Sequence, residues 1–251
     1  MSEQDARRST ARSRQLGGEL RGKRVAAGWQ SGRLAAELGW SPGKVSKLET
    51  GVRGVSETDV AAYLAVCGVK GAEFTRLVSL SRESGRDVWV RPRGALGVEE
   101  ARATGVVEYQ CMVVPRLLRT PEYARAIGEE AIEGRAAGTF FVEEQVLARP
   151  VGGREVMHDQ LMHLVLSPAV VRVVPTGVGG HAGVRGSFAV LESAEGAVVR
   201  LEGLVADVFL EGEGEVAVYR GVLEEVEAVA LSVGASREVL GRAADVCGGV
   251  G

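Results

Sequence analysis

Apolar residues recur every three or four positions from Leu16 to about residue 81, the spacing expected for the buried face of an α-helix. Short spacers that contain glycine, serine or Ser-Pro separate these repeats, and such residues commonly end or begin a helix. We therefore predict five helices. Their inward-facing residues are Leu16 and Leu20; Leu34 and Leu38; Val45 and Leu48; Val60, Tyr63 and Leu64; and Phe74, Leu77 and Val78.

Beyond residue 97 the pattern mixes helical spacing with runs of β-branched residues. Such runs predict strands at residues 140–142, 170–174, 187–191 and 198–201. Amphipathic spacing predicts helices at residues 99–110, 153–166, 215–231 and 236–247. The predicted fold class is α+β, with an all-α five-helix domain followed by a mixed α/β domain that contains a small sheet.

Local composition divides the chain into four parts. Residues 1–14 are polar and basic without periodicity and are predicted to form a flexible arm. The helical domain covers residues 15–81, and residues 82–97, rich in arginine and glycine, are predicted to be a linker. The remaining residues, 98–251, form the C-terminal domain.

The net charge of −3 is the sum of two opposite charges. Residues 1–93 carry 17 Lys and Arg against 10 Asp and Glu, a balance of +7, and residues 94–251 carry a balance of −10. A basic part joined to an acidic part favours a polyanion-binding module attached to a module with another task.

Composition also excludes several classes of protein. A membrane-spanning helix needs about 18 consecutive apolar residues, and the sequence contains no such stretch. No apolar segment follows the arginines near the N-terminus, as a secretory signal would require, and three scattered cysteines do not make a disulfide framework. We therefore expect a cytoplasmic protein without membrane contact.

The histidines and glycines give no sign of an enzyme. His158 and His163 are five residues apart and do not match the spacing of a zinc-protease helix. Residues 177–186 are rich in glycine but are not followed by the Lys-Ser or Lys-Thr of a phosphate-binding loop. Ser187, His181 and Asp207 do not have the spacing of a catalytic triad. We expect no catalytic site, no metal and no cofactor.

Two short predicted helices, residues 31–38 and 42–50, are joined by Gly39-Trp40-Ser41. This is the arrangement of a helix-turn-helix, in which the second helix enters the major groove of double-stranded DNA. A generic helical bundle is the alternative. On the DNA-binding hypothesis, the solvent side of the second helix faces the bases. The first residues of both helices, and one arginine after the second helix, contact phosphates. The candidate residues are Ser31, Ser41, Gly43, Lys44, Ser46, Lys47 and Arg53. For the two lysines the alternative is a solvated helix face.

Residues 32–51 resemble the xenobiotic-response-element (XRE) type helix-turn-helix, and are similar to the corresponding segment of the lambda and 434 phage repressors. Many members place Gln at the start of the first motif helix, where Ser31 stands here. The resemblance implies a largely buried, structural ion pair between Arg24 and Glu49. Because a single helix-turn-helix buries little surface on DNA, we also expect a homodimer on a two-fold operator.

Five segments after the linker resemble a C-terminal domain of uncharacterised function that follows this motif in actinobacterial regulators, including the Streptomyces antitoxin-like regulators. They are residues 114–123, 151–153, 156–161, 173–175 and 186–188. The resemblance implies a domain that receives a signal from a small-molecule ligand or from a small cognate protein. Two hypotheses therefore stay open: a transcriptional regulator that senses a ligand, and a protein-interaction module for which DNA binding is secondary.

Overall fold

The computed structural model describes residues 10–52, 56–82, 88–92, 103–132, 138–194 and 196–249. The chain forms two compact units, and the first boundary between them lies between Arg91 and Pro92. One unit is helical and the other is a mixed α/β unit, so the predicted fold class is confirmed.

The N-terminal unit consists of helices that pack around one apolar core. These helices are α1 (Ala11–Ala26), α2 (Ser31–Glu37), α3 (Pro42–Thr50), α4 (Glu57–Val66) and α5 (Gly71–Arg82). The core residues are those that the apolar spacing predicted: Leu16, Leu20, Leu34, Val45, Val60, Tyr63, Leu64 and Leu77 are all fully buried. The periodic pattern therefore identified both the helices and the faces that they bury.

Helix α1 begins earlier than predicted, so the flexible arm does not extend to residue 14. Thr10 caps the helix: its hydroxyl accepts a hydrogen bond from the Ser13 amide at 3.0 Å, and the Ser13 hydroxyl accepts one from the Thr10 amide at 2.9 Å. Arg12 and Arg14 belong to this helix and are only 9% and 4% exposed. This reciprocal cap fixes the first turn of the helix, although the residues are polar. Arg7 and Arg8 lie outside the described residues.

Two glycines allow α1 and α3 to approach closely. A Cβ atom on Gly17 would lie 2.6 Å from the carbonyl oxygen of Glu49, and one on Gly51 would lie 2.5 Å from the backbone of Ser13. Gly51 ends α3 in the left-handed region with φ 69°, and its carbonyl accepts a hydrogen bond from the Ser13 hydroxyl at 2.7 Å. Only glycine fits this junction.

The C-terminal unit combines a sheet with helices. Its strands are β2 (Gly105–Gln110), β3 (Gly138–Glu143), β4 (Val170–Val174), β5 (Phe188–Ser193), β6 (Gly196–Leu201) and β7 (Ala206–Leu210). From β7 to β4 the sheet runs in the order β7-β6-β5-β2-β3-β4. Strand β2 is parallel to β3 and β3 to β4, whereas β2–β5 and β5–β6 are antiparallel.

The helices of this unit are α6 (Pro121–Ala126), α7 (Glu144–Leu147), α8 (Arg154–Leu166), α9 (Glu213–Val229) and α10 (Val233–Gly248). Helices α8 and α10 pack together beside β4, and the apolar core lies between them and the parallel strands. Residues of this core from the two helices are Met157, Leu161, Leu164, Leu240 and Ala244, and residues from the strands are Phe140, Val142, Val171 and Val173.

Two predictions of secondary structure are wrong. The described residues of segment 99–110 form strand β2 instead of a helix, because Val106-Val107 lies in the middle of the sheet and pairs on both sides. The polar residues of this segment are buried: Glu108 is 1% exposed, and its Oε1 accepts a hydrogen bond from the side-chain Nε2 of Gln110 at 2.8 Å. A short strand, β1 (Val88–Pro92), also lies within the segment predicted as a linker.

Candidate nucleic-acid interface

The turn between α2 and α3 has the geometry that the sequence predicted for a helix-turn-helix. Leu34 and Ala35 of α2 are buried, and Gly39 follows the helix in the left-handed region with φ 65°. The Trp40 amide then donates a 2.8 Å hydrogen bond to the Ala35 carbonyl, which closes the end of α2. Glycine at the left-handed position allows only four residues to separate the end of α2 from the start of α3.

Helix α3 buries one face and leaves the other to solvent. Val45 and Leu48 are buried in the core of the unit. The exposed residues are Ser41, Pro42, Gly43, Ser46, Lys47 and Thr50. Ser41 begins the helix, because its hydroxyl accepts a hydrogen bond from the Lys44 amide at 3.2 Å and Pro42 occupies the first turn. The exposed residues therefore include Ser41, Gly43, Ser46 and Lys47, four of the predicted DNA-contacting residues.

Lys44 occupies a different environment from Lys47. Its ammonium lies 2.7 Å from the Asp59 carboxylate of α4 and 4.1 Å from the centre of the Trp40 ring. The side chain is 42% exposed, so solvent still reaches it. A cation held by a carboxylate and an aromatic face is partly neutralised before any DNA arrives. Lys44 therefore links α3 to α4, which the sequence did not indicate.

Ser31, a candidate phosphate contact at the start of α2, is not the N-cap of this helix. Gln30 is the residue before the first turn, and its side chain makes no capping hydrogen bond, whereas Ser31 is the first helical residue. Because Ser31 already has helical geometry, its hydroxyl does not take the capping role that extended serines take. Ser31 is partly exposed on the surface of α2. Arg53, the other predicted phosphate contact beside the motif, lies outside the described residues.

Sequence reasoning missed an exposed cation on the first motif helix. Arg33 of α2 is exposed and makes no ion pair with any residue described in the N-terminal unit. Over residues 10–52 and 56–82, the same holds for Arg21, Lys47 and Lys70. The position of Arg33 directly before the buried Leu34-Ala35 pair is the signal that places it on the outer side of α2. The motif thus presents Arg33 and Lys47 as cations that no described carboxylate neutralises.

The ion pair implied by the resemblance is present. Arg24 donates two hydrogen bonds to Glu49, from Nε to Oε1 at 2.6 Å and from Nη2 to Oε2 at 3.0 Å. The Arg24 Nη1 donates to the Trp29 carbonyl at 2.7 Å, and the Tyr63 hydroxyl donates to Glu49 Oε1 at 2.6 Å. The side chains of Arg24 and Glu49 are only 11% and 8% exposed. This network joins α1, α3 and α4 behind the exposed face of α3.

The pKa values of Arg24 and Tyr63 are both raised, which keeps the guanidinium charged and the phenol neutral. The hydrogen bond to Glu49 raises the pKa of Arg24 above its ordinary value. Burial, followed by the hydrogen bond to Glu49, raises the pKa of Tyr63, so the phenol stays a donor. Glu49 is therefore a structural carboxylate that fixes the orientation of α3.

Several polar side chains of the C-terminal unit are hydrogen-bonded to one another. The two ring nitrogens of His181 contact Glu143 Oε1 at 2.7 Å and the Gly183 amide at 3.2 Å, and Glu143 Oε1 also accepts the Tyr109 hydroxyl at 2.7 Å. The Ser187 hydroxyl instead meets the Cys111 thiol at 3.3 Å. Both ring nitrogens of His181 are therefore hydrogen-bonded to groups other than Ser187.

Two features of other protein classes do not occur among the described residues. No group of three or more His, Cys, Asp or Glu in the described ranges is arranged to hold a metal ion. None of the helices that the structure describes combines the length and the apolar character needed to cross a bilayer.

Comparison with known families agrees with this two-part organisation. Residues 15–77 match the family described as a helix-turn-helix domain, which supports a DNA-binding regulator. Residues 94–138 and 131–242, together more than half of the chain, match the family described as domain of unknown function (DUF5753). No curated protein and no solved structure is similar enough to count as a match. The chain therefore belongs to the DUF5753 family and carries a helix-turn-helix domain ahead of that region.

Proposed function

We propose that this protein is a sequence-specific, XRE-type transcriptional regulator that reads double-stranded DNA with the exposed face of α3. The observation that carries the proposal is the face formed by Gly43, Ser46 and Lys47, which lies opposite the buried Val45 and Leu48. A helix with one face exposed along its length fits the major groove, where side chains reach the edges of bases.

The two lysines of α3 have different roles in this proposal. Lys47 is exposed and has no described anionic partner, so its ammonium is available for a guanine edge or a phosphate. Lys44 is held by Asp59 and Trp40, and mainly positions α3 against α4. Arg33 on α2 adds a phosphate contact beside the motif. Lysine lacks the fork of arginine, so DNA shape supplies part of the specificity.

We propose further that the protein acts in the cytoplasm as a homodimer on a two-fold operator. One helix-turn-helix buries little surface on DNA, and two copies gain specificity by reading half-sites about 34–36 Å apart. The C-terminal unit then has the task of receiving a signal. Its region of the chain, residues 94–251, has a balance of −10, which disfavours a place in the DNA footprint. We expect no catalytic activity from it.

Retardation and footprinting of the DNA upstream of the protein's own gene test the proposal. Lys47→Ala is expected to weaken specific binding about tenfold and to lower the slope of log affinity against log salt by about 0.9. Lys44→Ala is expected to have a smaller effect. Lys70→Ala, another exposed lysine without a described ion pair, is the matched control and should bind as the native protein does.

Two results would contradict the DNA assignment: no retarded fragment at low salt, or equal binding by Lys47→Ala and Lys70→Ala. Sedimentation of the protein with and without the operator fragment tests the homodimer, since one protomer per site would exclude it. Co-purification of a small protein whose addition abolishes operator binding would instead favour the antitoxin-like, protein-interaction function.

A further inference from the structure

The C-terminal unit contains an open cavity of about 410 Å³ bordered by α7, α8 and α10. Its apolar lining residues are Leu147, Ala148, Pro150, Met157, Val239, Ala243, Val246 and Cys247. Leu147 and Met157 at its base are almost fully buried, whereas Val246 at its edge is 75% exposed. The volume lies within the range of pockets that hold drug-sized molecules, about 300–1,000 Å³.

Three arginines and a single carboxylate complete the lining of this cavity. They are Arg149, Arg154, Arg242 and Glu144. Arg149 and Arg242 are exposed, and neither makes an ion pair with another residue in the described ranges. The Glu144 carboxylate already accepts a hydrogen bond from the Thr176 amide at 2.9 Å. The cavity therefore has a positive rim around an apolar interior.

Arg154 is a cation fixed in place without a carboxylate. Its guanidinium donates to the carbonyls of Val246, Cys247 and Gly249 at 2.9, 3.2 and 2.5 Å, which holds the start of α8 against the end of α10. Carbonyl oxygens satisfy its hydrogen bonds but leave its full positive charge. Because these hydrogen bonds hold the guanidinium of Arg154, its positive charge stays at the cavity.

Two other arginines of the same unit have carboxylate partners. Arg119 pairs with Glu129 at 2.6 Å and Arg172 with Glu227 at 2.9 Å. A second cavity of about 630 Å³ also includes Arg154, but its lining contains the carboxylates of Glu155 and Asp245. A cluster of three arginines with one carboxylate, in a region whose balance is −10, therefore marks the apolar cavity as the one suited to an anion.

We infer that this cavity binds a small organic anion with an apolar body, such as an aromatic carboxylate or sulfonate. The apolar body packs between Leu147, Met157 and Ala243, and the anionic group meets Arg149 and Arg242. The idea that this ligand acts as a signal for transcription rests on the proposed function, whereas the binding of the anion does not. A neutral apolar ligand would make no contact with the charges of the arginines. A protein segment or a second copy of this chain would cover the exposed edge around Val246 and would not fill the buried base of the cavity.

Two fluorescent probes separate the anionic group from the apolar body. Anilinonaphthalene sulfonate carries a sulfonate, and phenylnaphthylamine has the same rings without it. Titration of the full chain is expected to give tighter binding of the sulfonate, by about tenfold or more, because a charge-assisted contact is added. Arg242→Gln should remove most of that difference without changing the affinity for the neutral probe.

Matched variants control for the fold and for surface charge. Arg237→Gln lies on the same helix, is exposed and does not line the cavity, so it should leave both affinities unchanged. Val246→Trp adds a large ring at an exposed edge position and should weaken the binding of both probes. Unfolding temperatures equal to that of the native protein show that each variant is folded.

The inference is overturned if the two probes bind equally, if Arg242→Gln and Arg237→Gln behave alike, or if Val246→Trp changes neither affinity. Retardation of the operator fragment, measured with and without saturating sulfonate probe, reports separately on the proposed function. If the protein binds the probe as expected but retards no DNA, the proposal of a transcriptional regulator is refuted, and the anion site is still supported.

Discussion

The substitution Glu49→Gln tests whether the buried pair with Arg24 holds the N-terminal unit together. Glu49 accepts three hydrogen bonds, two from the Arg24 guanidinium and one from the Tyr63 hydroxyl, at 2.6, 3.0 and 2.6 Å. Glutamine has nearly the same shape, but its NH₂ group turns one acceptor oxygen into a donor. That donor then faces a donor of Arg24 or of Tyr63.

The magnitude follows from these contacts. Hydrogen bonds to a charged group contribute about 1.5–3 kcal/mol each, and Glu49→Gln removes the acceptor's charge from all three and loses at least one of them. Breaking a buried ion pair from one side costs about 3–5 kcal/mol, because the remaining charge stays buried. The pair is 11% and 8% exposed, so some solvent reaches the stranded Arg24 and the lower end of that range applies. We expect a loss of about 3 kcal/mol in the free energy of unfolding of this unit.

Urea unfolding followed by the fluorescence of Trp29 and Trp40 measures this loss. With a slope of about 1–3 kcal/mol per M, the midpoint should fall by more than about 1 M. Glu73→Gln is the control: Glu73 pairs with Lys23 and Arg76 on the surface, where ion pairs contribute about 0–1 kcal/mol. Equal midpoints for the two variants would refute a stabilising role for the buried pair. Arg24→Met combined with Glu49→Leu should recover part of the loss, since no stranded charge remains.

Three further substitutions separate other contacts. Gly51→Ala should lower the free energy of unfolding by more than about 2 kcal/mol, because its Cβ meets the Ser13 backbone. Gly39→Ala, also at positive φ but in open space, should lower it by only about 1 kcal/mol. Equal urea midpoints for the two variants would contradict this difference. Asp59→Asn releases Lys44 and should strengthen DNA binding several-fold at low salt in retardation assays; weaker binding would show that Lys44 needs its partner. Gln160→Leu leaves the Leu118 carbonyl and the Thr120 amide without their buried partner and should lower stability by about 2–3 kcal/mol in thermal unfolding; an unchanged melting temperature would contradict that role.

The helical unit and its motif were predictable because local signals and tertiary packing agree there. Leu34, Val45 and Leu48 fall at helical spacing, and Gly39 and Ser41-Pro42 mark the ends of two helices. The strand at Val170–Val174 was predicted to the residue for a related reason, since a run of β-branched residues fits only a strand. In such segments, about ten consecutive residues are enough to predict the secondary structure.

The errors occur where contacts distant in sequence decide the structure. Strand β2 contains Glu108 and Gln110, whose burial depends on neighbouring strands and whose polarity imitates a helix face. The pairing of Lys44 with Asp59 joins residues fifteen apart on separate helices, and no spacing rule anticipates it. The Arg24–Glu49 pair spans twenty-five residues and was foreseen only through resemblance to phage repressors.

Ion pairing also changes what the charge balance implies about DNA binding. The balance of +7 over residues 1–93 suggests a strongly basic surface. In the folded unit, however, cations on α1, α3 and α5 have carboxylate partners on neighbouring helices, so these cations are less available to phosphates. These pairs are Lys23–Glu73, Arg24–Glu49, Lys44–Asp59, Arg76–Glu19 and Arg82–Glu57. Affinity for phosphates depends on the cations that remain, and Lys47 and Arg33 are the ones on the motif itself. Charge counted along a sequence thus locates the DNA-binding unit, while the pairing within the fold decides which side chains are available to DNA.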